Sequence, residues 1–341
     1  MSVPDNTPPA QVPPQMQMIQ LLSGFQIAQA LYVVAKLDVA TILEDGPRTV
    51  DQLAAETHAN ADALGRIIRF LAALGVFRTH GDRVENTALS ATLAEDDPNS
   101  VRYAAFYLVG MQYGPFSELL HTALTGETAA TKYYGQPFFD WISTDAEKVE
   151  IQHRTFANVT HSLRAGMFDG YRLPKGAVVA DLGGADGSML IQLLADDPDR
   201  RGIVFDRPEV VAAARKNLAV HGLVDRVESI GGDFFQSVPA ADVYVLSYIL
   251  HDWDDESSRR ILRTVAEAAA PGARVVLIEA VSPPDDTPHL AKVLDLQMLA
   301  MVGGRERTAE EYQALLDSSG YTLDRIVPSP TPFSFIEATL R

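Results

Sequence analysis

The chain has 341 residues, no cysteine, and a formal net charge of −17 with a pI near 4.8. This length predicts two domains, or one large domain with an extension. The negative charge argues against binding to nucleic acid or to an anionic membrane by bulk electrostatics, and the lack of cysteine excludes disulfides and thiolate chemistry. Residues 1–15 do not have the pattern of a signal peptide, and no run of about 18 apolar residues predicts a membrane span, so we expect a cytoplasmic protein.

The N-terminal hundred residues predict a short tail followed by a helical domain. Residues 1–15 contain five prolines, which predicts a disordered tail. Apolar residues then recur at helical spacing from Met16 to Leu37. Thr49 and Gln52 have the spacing of a capping box, and His80-Gly81-Asp82 predicts a hairpin turn.

Helices followed by a hairpin form a winged-helix shape, which often binds DNA. Residues 1–100, however, contain 6 Lys and Arg against 12 Asp and Glu, and the second helix offers only Arg66 and Arg69. We therefore interpret residues 16–100 as an all-helical, winged-helix-like dimerisation domain. The long apolar first helix also suggests a partner chain. A ligand-sensing DNA-binding protein is the weaker alternative.

The rest of the chain predicts a helical region and then an α/β domain. Residues 101–173 are helical in pattern and rich in aromatic side chains, typical of a linker or substrate lid. From residue 174 to 341, strands alternate with helices, which predicts a Rossmann-like parallel sheet with helices on both faces. The last two strands are joined by a short proline-bearing loop, so we expect them to be antiparallel. The predicted strands are 178–182, 203–206, 227–230, 242–247, 274–280, 323–327 and 333–340.

Residues 178–187 combine the first strand of this domain with the glycine-rich loop that follows it. Gly183 and Gly184 predict a tight turn that brings backbone N–H groups and a helix N-terminus beside a ligand. A dinucleotide motif would need glycine at position 182, where leucine stands. Asp181 would repel a pyrophosphate but suits a cationic ligand such as S-adenosylmethionine. The alternative is an ordinary glycine-rich loop.

Other candidate residues follow the later strands, at the sheet edge where ligands bind in open α/β folds. Asp206 is placed to accept both ribose hydroxyls of adenosine. Asp233 is placed to accept a hydrogen bond from the adenine amino group, with Phe234 packed on the ring. As alternatives, either aspartate caps a helix, His251 is a surface histidine, Glu279 is a solvated strand end, and Glu306 pairs with a neighbouring arginine.

Together these segments resemble the small-molecule O-methyltransferases, which include plant caffeate and flavonoid enzymes and bacterial antibiotic-tailoring enzymes. The resemblance extends over residues 15–341 and is carried by five motifs, which are Asp181-Leu-Gly-Gly-Ala-Asp-Gly187, Asp206-Arg-Pro208, Gly232-Asp-Phe-Phe235, His251-Asp-Trp-Asp-Asp255 and Gly303-Gly-Arg-Glu-Arg307. It implies a class I methyltransferase sheet, S-adenosylmethionine as cofactor with S-adenosylhomocysteine as product, and homodimers whose N-terminal regions are exchanged between active sites.

The resemblance further implies that His251 is the general base and that Glu279 and Glu306 orient it. A neutral imidazole helps a phenol of pKa near 10 to lose its proton, and a carboxylate on the other ring nitrogen fixes the tautomer. We expect the imidazole to titrate near its unperturbed pKa of about 6.5. No metal-ligand spacing is found, and the reaction requires no metal.

The remaining site residues are assigned by their place in these motifs. Ser247 stands where plant members often have lysine near the adenine, and Ser247 and Trp253 complete the cofactor site. Where many members carry Phe and Met in the helical region, this chain has Gln152 and Phe156, so the substrate is not evident. The predicted lining of the substrate pocket is Gln152, Phe156, Asp252, Met298 and Val302.

The sequence thus predicts methyl transfer to an aromatic hydroxyl of a secondary metabolite of the polyketide or antibiotic type. One rival is a tailoring enzyme that binds the methyl donor but hydroxylates its substrate, as anthracycline-pathway relatives do. His251 favours methyl transfer, because those relatives do not need this base.

Overall fold

The computed structural model describes residues 12–95, 97, 100–164 and 166–341. The chain divides into an N-terminal unit, Met1–Gly114 with Asp145–Thr160, and a C-terminal unit, Pro115–Thr144 with His161–Arg341. Of the tail expected over residues 1–15, residues 1–11 lie outside the described part, and a helix already begins at Pro14.

The N-terminal unit combines helices with a small antiparallel sheet of strand order β1-β3-β2, so it is not all-helical. Its elements as far as residue 112 are α1 (Pro14–Leu22), α2 (Gly24–Lys36), α3 (Val39–Ile42), β1 (Arg48–Thr49), α4 (Val50–Thr57), α5 (Ala61–Ala73), β2 (Phe77–His80), β3 (Arg83–Asn86), α6 (Ala88–Ala91), α7 (Arg102–Ala104), a 3₁₀ turn at Leu43–Asp45 and a π-helix at Ala105–Gln112.

Local sequence explains most of these boundaries. The apolar stretch expected as one helix is divided into α1 and α2 at Ser23. The Ser23 N–H caps the end of α1 by donating to carbonyls of its last turn, such as those of Ile19 and Gln20. The Thr49 and Gln52 capping box forms with both hydrogen bonds, of 2.8 and 3.2 Å. The hairpin turns at Gly81, whose φ of +64° favours glycine.

The first two helices leave much apolar surface uncovered. None of the residues of α1 is buried, and Leu21 and Leu22 are 76% and 70% exposed. By length and composition, the segment Pro14–Lys36 would suffice to cross a membrane, with a mean hydropathy of 1.4. This is weak evidence for a span, because a helix that packs on another chain has the same composition.

The helices after residue 115 precede the main sheet of the C-terminal unit. They are α8 (Leu119–Thr125), α9 (Ala129–Tyr134), α10 (Phe138–Ser143) and α11 (Ala146–Arg164). The elements that follow are β4 (Val178–Leu182), α12 (Ser188–Leu193), β5 (Arg201–Asp206), α13 (Val211–Val220), β6 (Val227–Gly231), β7 (Val243–Ser247), α14 (Asp255–Ala268), β8 (Arg274–Glu279), α15 (Leu290–Met301), α16 (Ala309–Ser318), β9 (Tyr321–Pro328) and β10 (Ser334–Leu340).

The seven strands form one sheet of order β6-β5-β4-β7-β8-β10-β9, which is the Rossmann-like arrangement that the sequence predicted. The strands β4 to β8 are parallel, and the predicted antiparallel pairing of the last two strands is confirmed. Alternate residues of the buried strands pack on opposite faces, so Val243 and Val245 enter one core cluster and Tyr244 and Leu246 the other. The strand order reverses between β4 and β7, and the crevice at such a point is where ligands bind.

Candidate active site

The glycine-rich loop is held by hydrogen bonds within the protein. Gly183 N–H and Gly184 N–H donate to the Phe205 carbonyl, at 2.8 and 3.3 Å. A Cβ on Gly184 would lie 2.8 Å from Oδ2 of Asp181, whose side chain is almost fully buried. These two N–H groups are thus used to hold the loop against β5 and are not free donors, and the assignment of Gly183 and Gly184 to the cofactor site stays a prediction. A loop whose donors are occupied suits a cation better than a phosphate.

Asp206 connects the end of β5 to this loop. Its Oδ2 accepts a hydrogen bond from Ala185 N–H at 2.9 Å, and its Oδ1 accepts one from Arg207 N–H at 2.7 Å. Each carboxylate oxygen can accept a second bond, so capacity for a diol remains. The alternative that Asp206 caps a helix is wrong, because α13 begins at Val211 and its N-cap residue is Val210.

Asp233 organises the turn that follows β6. Its Oδ1 accepts from Phe235 N–H and its Oδ2 from the Gln236 amide, both at 2.9 Å. Residues 234–236, which follow it, form a turn and not a helix, so Asp233 does not cap a helix. The Phe234 ring lies edge-on to the Trp253 ring, with centroids 6.3 Å apart.

The end of β7 carries a buried hydroxyl and a strained residue. Ser247 Oγ is buried and has no hydrogen-bond partner among the described residues. Tyr248 has a φ of +55°, which is unusual for a bulky side chain and typical of functional sites. Its ring lies edge-on to Phe333 at 4.6 Å and 6.2 Å from the His251 ring. The unsatisfied Ser247 hydroxyl fits a polar ligand in this crevice.

His251 lies in a short 3₁₀ turn, Leu250–Asp252, beyond β7. Its Nδ1 is 2.8 Å from Oε1 of Glu306, whose side chain is fully buried, and its Nε2 is 3.6 Å from Oδ1 of Asp252. Because a carboxylate only accepts, Nδ1–H donates this hydrogen bond and Oε1 of Glu306 accepts it. The His251 side chain is 13% exposed, so the surface-histidine alternative is wrong.

Glu279 supports the backbone of the same turn from the end of β8. Its Oε1 accepts from Ile249 N–H at 3.2 Å and from Leu250 N–H at 2.9 Å. The residue is fully buried, so it is not a solvated strand end. One ligand atom from each of His251, Glu279 and Glu306 lies within 4.8 Å of the others, so a metal ion is a competing interpretation of this cluster.

The carboxylates around His251 change its proton affinity. Burial lowers the pKa of His251, but the charges of Asp252, Glu279 and Glu306 outweigh burial and raise it to about 10. The expectation of titration near 6.5 is therefore wrong. Burial raises the pKa of Glu279 to about 7, and the charge of Glu306 adds to this while His251 opposes it.

The segment Gly304–Arg307 holds this turn from the other side. A Cβ on Gly304 would overlap the His251 carbonyl, and Arg305 N–H donates to that carbonyl at 2.8 Å. Arg307 is fully buried and pairs with Asp255, whereas Arg305 pairs with Glu311. Glu306 therefore pairs with neither arginine, and that alternative is wrong.

The predicted pocket residues are divided between the two units. Met298 is buried near the end of α15, Val302 follows that helix, and Asp252 is partly exposed. Gln152 and Phe156 lie on α11 within the N-terminal unit, where the Phe156 ring is edge-on to Tyr107 at 5.4 Å. Their assignment to the substrate pocket stays a prediction.

Comparison with known proteins identifies the family. A family model described as the O-methyltransferase domain matches residues 116–322, and one described as the O-methyltransferase dimerisation domain matches residues 19–96.

This chain belongs to the O-methyltransferase family.

A relative of this O-methyltransferase is the phenazine O-methyltransferase of Lysobacter antibioticus, 37% identical with 98% of both chains covered. The mitomycin 7-O-methyltransferase structure has a TM-score of 0.87 at 35% identity, covering 96% of this chain and 98% of that one. A neocarzinostatin-biosynthesis O-methyltransferase, solved with S-adenosylmethionine and 2-hydroxy-5-methyl naphthoic acid, has a TM-score of 0.81 at 32% identity, covering 93% and 96%. The O-methyltransferase described here is thus an S-adenosylmethionine-dependent enzyme with a dimerisation domain, as the sequence predicted.

Proposed function

We propose that this enzyme methylates an aromatic hydroxyl of a small-molecule secondary metabolite, of the polyketide or antibiotic type, with His251 as general base. The observation that carries the proposal is the 2.8 Å hydrogen bond from His251 Nδ1 to the buried Glu306. It fixes one ring nitrogen, so that Nε2 is the nitrogen left to face a substrate hydroxyl. The aromatic antibiotics and phenazines in the names of the relatives support the substrate class.

The raised pKa of His251 affects how this base would work. The carboxylates around the ring raise the imidazole pKa to about 10, which makes the neutral imidazole a stronger base toward a phenol than an ordinary histidine. The neutral imidazole is scarce at pH 7, so a weakly acidic phenol should react faster as the pH rises. A more acidic hydroxyl binds as its anion, next to a protonated His251.

The residues of the crevice would hold S-adenosylmethionine, which supplies an electrophilic methyl group when bound. Asp206 would accept the ribose hydroxyls with the capacity left on its two oxygens. Asp233 and Phe234 would contact the adenine, with Ser247 and Trp253 beside them. Asp181, Gly183 and Gly184 would form the wall that faces the cationic part of the donor, where a carboxylate is favourable.

A homodimer is the second part of the proposal. The dimerisation domain covers residues 19–96, and the exposed apolar side chains of α1 lie in and beside it. We assign this surface to a partner copy whose N-terminal region is exchanged into the neighbouring active site, and not to a membrane or a nucleic acid. The cytoplasmic location expected from the sequence belongs to the same proposal.

The reaction is tested with an isotope-labelled methyl donor and a panel of phenols, hydroxynaphthoates and hydroxyquinones, with mass detection. The proposal predicts a product that carries one labelled methyl on oxygen. A product that gains an oxygen atom and no label would instead favour the hydroxylating rival. Transfer of label to nitrogen alone would reject the hydroxyl as acceptor.

A further inference from the structure

Arg307 is a buried cation that the proposed chemistry does not use. The residue is fully buried and follows Glu306 directly. Its side chain hydrogen-bonds to the loop that connects β7 to α14. A buried guanidinium is costly unless its donors are satisfied, so its partners indicate what it does.

Four hydrogen bonds of this guanidinium go to residues 250–258, the stretch that contains His251 and the start of α14. Nη1 donates to the Leu250 carbonyl at 2.9 Å, and Nη2 donates to the Trp253 carbonyl at 2.9 Å. Nη2 also donates to Ser258 Oγ at 3.1 Å, and Nε donates to Oδ1 of Asp255 at 3.0 Å. The carbonyls of Leu250 and Trp253 flank His251 in sequence, so the planar guanidinium bridges the two ends of the turn that carries the imidazole.

We infer that Arg307 is a positioning residue, which sets the place of the His251 imidazole through the carbonyls of Leu250 and Trp253. Glu306 holds the ring itself, Glu279 holds the two N–H groups before it, and Arg307 holds the carbonyl side. Lysine cannot reproduce this, because it presents one point charge where Arg307 presents a rigid fork of donors. The inference rests on the proposed role of His251.

The test uses R307K, with R259K as the matched control. Arg259 also lies near Asp255, at 3.9 Å, but it is partly exposed and its other contact is Ser318. We expect R307K to lower kcat about 10- to 100-fold, since misplacement by about 1 Å has an effect of this size. Affinity for S-adenosylhomocysteine should stay within about twofold, and R259K should behave as wild type.

A histidine NMR titration separates positioning from general stability. The His251 signals are assigned by their loss in H251N. If the loop loosens and the contact with Glu306 weakens, the His251 pKa in R307K should fall by about one unit or more. S258A, which removes one acceptor of Arg307, should show a smaller loss of kcat and keeps the test available if R307K does not fold.

Three results would overturn the inference. The first is an R307K variant with wild-type kcat. The second is an unchanged His251 titration in a variant that loses only thermal stability. The third, if R307K does not fold, is an S258A variant with wild-type kcat and titration. Full activity in H251A would instead reject the proposed base, and the titration would still report whether Arg307 places the ring.

Discussion

The E306Q variant isolates the charge that holds His251. In the native protein, Oε1 of Glu306 lies 2.8 Å from Nδ1 of His251. Glutamine keeps the size of this side chain and an oxygen that can accept the same hydrogen bond, but it removes the negative charge. The pKa of His251 is raised to about 10 partly by that hydrogen bond and charge. An opposite charge at such a distance moves a pKa by about 1–3 units, which corresponds to roughly 1.4–4 kcal/mol.

The sign of the effect follows from which form reacts. The neutral imidazole is the base, so kcat/KM for a neutral phenol rises as the pH approaches the His251 pKa from below. In E306Q we expect the midpoint of that rise to move down by about 1–3 pH units. We also expect the plateau to fall, within the roughly 10²- to 10⁴-fold that general-base catalysis contributes, because the imidazolium formed in the reaction loses its counter-charge.

The assay is a pH profile of kcat/KM from pH 6 to about 10.5 with one weakly acidic phenol. E310Q removes the same charge from an exposed position four residues along the chain and should leave the profile unchanged. A midpoint in E306Q that stays in place or rises would refute the argument that Glu306 sustains the proton affinity of His251.

Three further predictions concern the cofactor, the oligomer and the metal. D206A should weaken S-adenosylhomocysteine binding by roughly 2–3 kcal/mol, because a charged hydrogen-bond acceptor is lost. The exposed control E209A should bind with wild-type affinity, and wild-type affinity of D206A in calorimetry would count against the ribose assignment. The protein should sediment as a dimer with an apolar interface above roughly 2,000 Å²; a stable monomer at micromolar concentration contradicts this. A strong chelator should leave kcat unchanged, because His251, Glu279 and Glu306 act as a base and its supports, and loss of activity restored by added metal would favour a metal centre at this cluster.

The centre of the sheet was predictable because the strands β4, β7 and β8 are buried on both faces. Runs such as Val243–Leu246 are continuous and apolar, and turn residues bound them. The sequence placed the ends of all seven strands to within two residues. The break at Ser23 was not predictable, because the apolar spacing continues through it and only the local backbone geometry reveals it.

At the site, sequence placed the residue types, and the resemblance implied that Glu279 and Glu306 orient His251. Each acid lies at a strand end or in a recognisable motif, so Asp206, Glu279 and Glu306 were found. The hydrogen bond of Asp206 with Ala185 depends on tertiary folding, and so does the division between the glutamates, by which Glu306 contacts the His251 ring and Glu279 the backbone before it. Arg307 was missed as a functional residue, because a charged residue beside a glutamate most often indicates a solvated pair, and only its burial reveals otherwise.

Removal of the hydroxyl proton by His251 is measured with H251A and two substrates that differ in hydroxyl pKa. We expect kcat to fall roughly 10²- to 10⁴-fold on the less acidic hydroxyl and much less on the more acidic one, while the affinity for S-adenosylhomocysteine stays nearly constant. An equal and small loss on both substrates would show that His251 is not the base. His251 would then be a wall of the pocket, and catalysis would depend on alignment alone.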